Sequence, residues 1–432
     1  SSVWGRGPSC RGRCVLTVLV CLLQGWQRCR VLDMNEFSAI CVSEPEKVRV
    51  ENLEPFDEFE ELHLKCSHYF ILVASQGNLA DSPVLRPACV TEDFTVLPPP
   101  TSRGAIFAHL LSPSVPGLCR FGHRSCLVSS QSIMTTGGFG EGNGKHQRLR
   151  DIHLLLHGQD SWDREVKTGQ WDGRLLHSLT PLTSGAFLVL GGRFSPCRPA
   201  EDALILTYDH VTDALTVTQR PLHPELRRWR HTATEVSQSG LLYIFVFGGR
   251  SLESPALQEA AFLHTEDMST AQVTVVGVAP SGCHSHSSCG WAGGAVVSGG
   301  LLASGAPTGS ITVLRPEHSH FSWERLDTIP PLTPRYSHSS HVIGHRLILV
   351  GGIWIHARGV PGLTVVDLIS GHVCEYQINS TPVEWPLMLH GHSSVLLPDG
   401  QCVLVLGGGG TCFSFGTHLN KRPVMLELPS TM

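Results

Sequence analysis

The sequence predicts an all-β fold closed into a six-bladed β-propeller, with a short segment of different character before it. Three observations carry the ring. A histidine recurs at His123, His177, His231, His286, His338 and His392, with gaps of 54, 54, 55, 52 and 54 residues. Each is followed 13 to 17 residues later by a glycine pair, at Gly137-Gly138, Gly191-Gly192, Gly248-Gly249, Gly299-Gly300, Gly351-Gly352 and Gly407-Gly408. Directly before the glycines stands an apolar run, such as Phe187–Leu190, Tyr243–Phe247, Leu347–Val350 and Val403–Leu406. One supersecondary unit copied at a fixed period of about 50 residues reads as a ring of blades.

Each element of the unit then follows in order. Runs of four or five β-branched, leucine and aromatic residues ended by Gly-Gly read as buried strands, because a helix needs roughly 10 to 12 residues without such punctuation. Between histidine and run lies a turn, as in Leu397-Pro398-Asp399-Gly400 and Val342-Ile343-Gly344-His345. Histidine and glycine pair therefore mark the open ends of one hairpin. A third strand follows at Ala203–Tyr208, Ile311–Leu314, Leu363–Leu368 and Val424–Leu428, and a fourth at Phe321–Leu326. Four antiparallel strands per unit make a propeller blade. The glycines serve a sharp turn that needs positive φ, and the histidines are expected to bond neighbouring backbone and knit the blades, since a buried polar ring needs a partner. The propeller is expected over residues 88–432. Its last blade needs a strand from elsewhere to cover its edge. Val90–Leu97, before Pro98-Pro99-Pro100, is the expected closing strand.

Composition narrows the function classes. Charged residues are only 16%, with 44 glycines and 28 prolines, and the net charge of −5 exerts no general pull on nucleic acid. Fifteen cysteines include no C-x-x-C, the nearest being Cys10-Arg-Gly-Arg-Cys14. That argues against a disulfide framework or zinc ribbon and predicts a reduced, cytoplasmic protein. No apolar run reaches the roughly 18 residues of a membrane span. His284 and His286, His318 and His320, and His390 and His392 could share a strand face, yet no cysteine or carboxylate completes a set, so no metal is expected. No G-x-S-x-G is present, which leaves a hydrolase without support. In residues 1–33, Arg6, Arg11 and Arg13 precede Val15–Leu23 in the manner of a secretory signal. The chain starts at Ser1 without a clear cleavage site, so 1–33 are read as an atypical segment, a fragment or gene-model artefact.

The repeats resemble the kelch repeat. Residues 34–80 differ in character: Met34-Asn35-Glu36-Phe37 leads to a block running from Arg49 through Glu54-Pro55-Phe56-Asp57-Glu58-Phe59-Glu60-Glu61-Leu62 to His68-Tyr69-Phe70. This resembles the final segment of the leucine carboxyl methyltransferase family, where an acidic stretch is followed by a His-Tyr pair. That ending before a kelch ring resembles the branch of the family that acts on tRNA, and Val350–His356, Trp385–His390 and Gly407–Gly416 look like its C-terminal half. The resemblance implies a transferase using S-adenosylmethionine that esterifies the side-chain carboxylate of a tricyclic guanine in phenylalanine tRNA. It then adds a methoxycarbonyl group to the side-chain amine, finishing wybutosine. A carboxylate is already a competent nucleophile, so positioning matters more than a general base. By resemblance, His68 and Tyr69 would line the substrate pocket.

The sequence also departs from that family. The cofactor half of such enzymes is a doubly wound sheet with a glycine-rich turn, of which 34–80 hold only the end. The clusters at Gly137–Gly144 and Gly407–Gly410 belong to blades and lack the G-x-G-x-x-G register. Leu62 stands where the family has tryptophan. S-adenosylmethionine is therefore a cofactor by resemblance that this chain is not expected to bind alone, and no catalytic or cofactor-binding residue is assigned.

Two surfaces are candidates for binding. The acidic residues Glu54, Asp57, Glu58, Glu60 and Glu61 could face a cationic partner, though a solvated strand pair of alternating charge is the simpler expectation. The openings of first strands and the ends of second strands lie on one face. That face is expected to collect Arg120, Arg230 and Arg335, with Arg227 and Arg228 beside them, and Arg193, Arg250, Trp354 and His356. Arginines with an interleaved aromatic suit phosphate contact and base stacking; the alternative is that they pair with acids and fix the loops. The expected function is a propeller that orients tRNA or the catalytic half. Its rival is a non-catalytic kelch adaptor that binds a protein partner through the same face, and Glu51–Tyr69 favours the first.

Overall fold

The structure, a computed structural model, describes residues 10–53, 56–80, 100–111, 118–157, 162–209, 211–212, 214–355, 361–381, 383, 387–412 and 416–429. Two compact units divide the chain: one holds the residues through Pro98 with 355–358 and 411–415, the other the remainder from Pro99.

In the first unit, Arg28–Asp33 pairs antiparallel with Phe70–Ser75, from Arg28↔Ser75 to Asp33↔Phe70. Helices Met34–Cys41, Glu44–Glu51 and Phe59–Cys66 lie between these strands in sequence, and helix Cys10–Leu23 precedes them. Asp33 starts its helix with a capping box: its carboxylate accepts from the Glu36 N–H, and Glu36 accepts from the Asp33 N–H, both at 2.8 Å. The acidic block is not the solvated strand pair expected. Phe59–Cys66 is helical, and Asp57, Glu60 and Glu61 are buried. The aromatic spacing supplies the reason, since Phe59 meets Phe56 edge-on at 5.3 Å and His63 one turn on at 6.4 Å. Glutamates in a first turn also complement the helix dipole.

In the second unit each of the first four histidine repeats becomes one main sheet. The first holds Arg124–Ser129, Ser132–Thr136, Asp151–His157 and Trp162–Gln170 in that spatial order, and the next Ser178–Pro181, Phe187–Leu190, Asp202–Asp209 and Ala214–Pro221. Thr232–Ala271 and Ser287–Leu326 repeat the arrangement, and a short parallel segment, Val275–Val276, joins the outer edge of the latter sheet. The innermost strands close on themselves. Arg124–Ser129 adjoins Ser178–Pro181, which adjoins Thr232–Gln238, then Ser287–Trp291, Ser339–Ile343, Ser393–Leu396, and Arg124–Ser129 again. The fold is a β-propeller.

The expected closing segment Val90–Leu97 lies outside the described residues. The strand seated beside Val424–Glu427 is Ser102–Leu110. Its second half pairs antiparallel there, Ala108 facing Leu426, while its first half pairs parallel with Val373–Asn379, Ile106 facing Ile378. Two repeats thereby join in one eight-stranded sheet.

The core lies between sheets. Phe187 and Val189 pack toward Met134, Ile152 and Leu154, whereas Leu188 and Leu190 pack toward Ile244 and Val246. Both faces of each second strand are thus buried, which is why these strands read as continuous apolar runs rather than as alternation.

Histidine and glycine form one interlocking joint. A Cβ on Gly191 would sit 2.3 Å from the Arg228 carbonyl oxygen and 2.6 Å from Cε1 of His231 in the next unit, and one on Gly192 only 2.8 Å from Cβ of His177 in its own. Both glycines also have positive φ, at 60° and 87°. The second glycine of every pair donates its N–H to the next unit's residue three before the histidine, at 2.7–3.0 Å, including Gly408 to Arg120 across the closure. The histidines bond hydroxyls in addition to the expected backbone, whose groups at Arg228, Phe247, Ser298 and Leu389 act on His231, His286, His338 and His392. Nε2 of His231, His286, His338 and His392 pairs with Ser178, Thr232, Ser287 and Ser339, the residue after the preceding histidine, at 2.8–3.2 Å.

Candidate nucleic-acid interface

The arginines three residues before the histidines are structural. Arg120, Arg174, Arg228 and Arg335 donate through Nη1 to the carbonyls of Gly137, Gly191, Gly248 and Gly351, at 2.9–3.5 Å. All four are buried. In the last repeat, where Leu389 takes that position, Asn420 Nδ2 donates to the Gly407 carbonyl at 2.8 Å instead. Arg335 also pairs with buried Glu375 at 2.8 Å, and its guanidinium lies 5.3 Å from the centre of the Trp354 ring.

The residues expected to form one basic face are therefore sorted as follows. Arg120 and Arg335 are fully buried, and Arg230 is nearly so, with Nη1 donating to Ser285 Oγ at 2.9 Å. Arg120 and Arg335 do not present their guanidinium groups on the loop face, because the glycine carbonyls claim them, and Arg230 lies at the inner ring. Arg193 and Arg250 are half-buried and bridge by backbone to Leu175 and Trp229. Trp354 is half-buried against Arg335. His356 lies outside the described residues. His68 and Tyr69 are exposed in the other unit, between helix Phe59–Cys66 and strand Phe70–Ser75.

The same loop face nevertheless carries a basic cleft, one residue along from Arg193. The loops after the first two glycine pairs fold into small hairpins, Phe139–Gly142 with Lys145–Arg148 and Arg193–Ser195 with Arg198–Pro199. Arg148, Arg150, Asp172, Phe194, Arg198 and Glu201 are among the residues lining a cleft of about 810 Å³. A second hollow of about 510 Å³ shares Arg148 and Arg150 and adds Asn143 and Gln147. Phe194 sits among three guanidinium groups, those of Arg198, Arg148 and Arg174, at 5.0, 5.5 and 5.7 Å from its ring centre.

Charge partnering decides what the cleft can hold. The buried Arg174 takes both Asp172 and Asp202, each at 2.7 Å, and Arg227 takes Glu201 at 3.3 Å. Arg148, Arg150 and Arg198 have no carboxylate within salt-bridge distance among the described residues; Arg148 donates to the Gly173 carbonyl at 3.3 Å. The arrangement is a half-buried aromatic ring beside Arg148 and Arg198, which no carboxylate among the described residues neutralises, suited to a stacked base and the phosphates beside it. The sequence signal was the arginine density of the two loops, which the spacing from the glycines alone did not single out.

No three His, Cys, Asp or Glu side chains among the described residues are placed to hold a metal. Residues 10–80 contain a two-stranded antiparallel sheet and, as described, no strand that turns through glycines into a helix. The residues present do not fit S-adenosylmethionine, and no step is derived through it. No helix of the described residues is long and apolar enough to cross a membrane.

Comparison with known proteins agrees with this architecture. The family described as tRNA wybutosine-synthesizing protein 4, beta-propeller, matches residues 172–422. The chain is similar to the tRNA wybutosine-synthesizing protein 4 of Homo sapiens, 47% identical over 95% of this chain and 62% of that protein, and to that of Rattus norvegicus with the same shares. Its likeness to the Aspergillus oryzae protein of that name is 24% over 88% of this chain and 38% of that protein. The chain thus spans about three fifths of the length of its mammalian relatives. By ring, repeat and sequence, it belongs to the tRNA wybutosine-synthesizing protein 4 β-propeller family.

Proposed function

We propose that this propeller, six kelch-type blades in our reading, recognises phenylalanine tRNA in the cytoplasm and presents it for the closing transfers of wybutosine synthesis. Those transfers would use S-adenosylmethionine held by a methyltransferase domain that residues 34–80 resemble only at its end. The observation that carries the reading is the cleft in which Phe194 is framed by Arg148, Arg198 and Arg174 while the local acids are already paired. Membership of a family named for tRNA modification supports it. The loop face is retained as the docking side, with Arg148, Arg150, Phe194 and Arg198 in place of the buried arginines. His68 and Tyr69 remain proposed pocket residues through family resemblance.

Binding of phenylalanine tRNA, followed by anisotropy across a salt series, tests this. Arg148→Glu with Arg198→Glu should weaken binding at least tenfold and lower the salt slope by about 2, since each lost phosphate contact removes about 0.9. Phe194→Ala should cost about 1–3 kcal/mol with little change in slope, as lost stacking does. Unchanged affinity in both variants, with the fold intact by circular dichroism, overturns the reading and favours the rival, a protein partner on this face.

A further inference from the structure

The ring's own regularity exposes a second site, on the axis. The residue directly before each histidine, namely Gly122, Leu176, Arg230, Ser285, Ser337 and Gly391, is left-handed, with φ of 55–65°. Their backbones link head to tail: Gly122 N–H donates to Gly391, Leu176 to Gly122, Arg230 to Leu176, Ser285 to Arg230 and Ser337 to Ser285, at 2.8–2.9 Å. This girdle encircles the start of the innermost strands.

Immediately inside it stands the residue after each histidine. Five repeats place a hydroxyl there, Ser178, Thr232, Ser287, Ser339 and Ser393, while the first repeat places Arg124. The exception displaces its neighbours. His177, denied a hydroxyl at that position, pairs with Thr136 Oγ1 at 2.9 Å. Ser393 Oγ accepts from the Ser125 N–H at 2.9 Å, and Nε2 of the fully buried His123 has no hydrogen-bond partner among the described residues. Arg124 itself donates to the His123 carbonyl at 3.0 Å and meets no carboxylate among the described residues. Its charge is felt by five of the six repeat histidines, which only a central guanidinium can reach. Burial, with Arg230 nearby, pushes the Arg124 pKa down to about 10, so it stays charged at neutral pH.

A half-buried cation without an anion beside it is costly. The hydroxyl that its sister repeats use was available at no structural expense. We propose that Arg124, with Arg230 at the girdle, forms an oxyanion site on the propeller axis that takes a phosphate group. The guanidinium forks suit phosphate oxygens, and a partly buried cation that no anion neutralises concentrates anions near it. The phosphate could come from an RNA backbone or from solution, and this inference stands apart from the loop-face cleft.

Arg124→Ser tests it on the full chain, because serine is what four of the other five repeats carry there. Thermal unfolding is followed with inorganic phosphate against chloride at equal ionic strength. The parent should gain several degrees in phosphate, Arg124→Ser should gain none, and Arg124→Lys should keep part of the gain. Tenfold weaker tRNA binding by Arg124→Ser, with inorganic phosphate competing in the parent, would identify the RNA backbone as the source. Unchanged tRNA affinity with the phosphate gain lost would identify free phosphate. No phosphate gain in the parent, or an equal gain in parent and Arg124→Ser, overturns the proposal.

Discussion

At the scale of single residues, the glycine pairs are packing devices as much as turns. Gly191 combines left-handed backbone with a Cβ position already occupied by the neighbouring repeat. Gly191→Ala should therefore lose about 3 kcal/mol or more in urea unfolding, from conformational strain and overpacking together. Gly305, with φ of 77° and nothing within 4 Å of its Cβ position, isolates the first term. Gly305→Ala should cost only about 1–2 kcal/mol. The arginines show where residue-level reading of the sequence stopped. Arg120, Arg174, Arg228 and Arg335 all stand three before a histidine, a spacing visible in the sequence. A charge at the opening of a hairpin reads as exposed, because a buried guanidinium ordinarily requires a carboxylate. In this fold a glycine carbonyl, freed by the turn, claims each of them, and Arg174 and Arg335 also hold acids.

At the scale of elements, strands of the repeat were legible because both their faces are buried and their ends are punctuated. Phe321–Leu326 has the bounds its tryptophan-marked pattern suggests, and Val424–Glu427 differs by one residue from expectation. Helix Phe59–Cys66 was obscured because its buried acids mask the helical spacing of Phe59 and His63. The strand Ser102–Leu110 carries a particular burden, covering the edges of two repeats at once. Ala108, fully buried among Ile106, Val403 and Val424, is its anchor. Ala108→Asp should destabilise by about 3 kcal/mol or more, as an unpaired buried charge does. Light scattering should rise below the unfolding midpoint as the freed edges pair between molecules.

At the scale of the whole molecule, burial first, then neighbouring arginines (for His392, His390 before Arg124), hold the repeat histidines neutral. His286 and His392 are lowered to about 3, and His123, His177, His231 and His338 fall well below their ordinary range. The unfolded chain takes protons near pH 6.5 while the folded one refuses them, so stability is full above that pH. It is lost as pH falls from there toward the folded values. Each histidine gives up about 1.4 kcal/mol per pH unit, and six acting together should unfold the ring cooperatively at about pH 5. Circular dichroism across an acid titration, with proton uptake measured alongside, checks this; a fold intact at pH 4 would mean that the ring accepts charge. Net charge of −5 hid the loop-face cleft, because local acids paired with Arg174 and Arg227 enter the sum without shielding Arg148, Arg150 or Arg198.

The joint between repeats has a direction. Ser178, Thr232, Ser287 and Ser339 each serve the histidine of the following repeat, the first glycine of every pair but Gly351 makes room for that ring, and each second glycine donates forward. Damage is therefore inherited downstream: a lesion at Ser178 is suffered by His231, not by His177 beside it. Since the last repeat hands on to the first through Gly408 and Arg120, no repeat is terminal. Inheritance of this kind explains why the repeats can drift apart in their loops while the phase between histidine and glycine pair is kept.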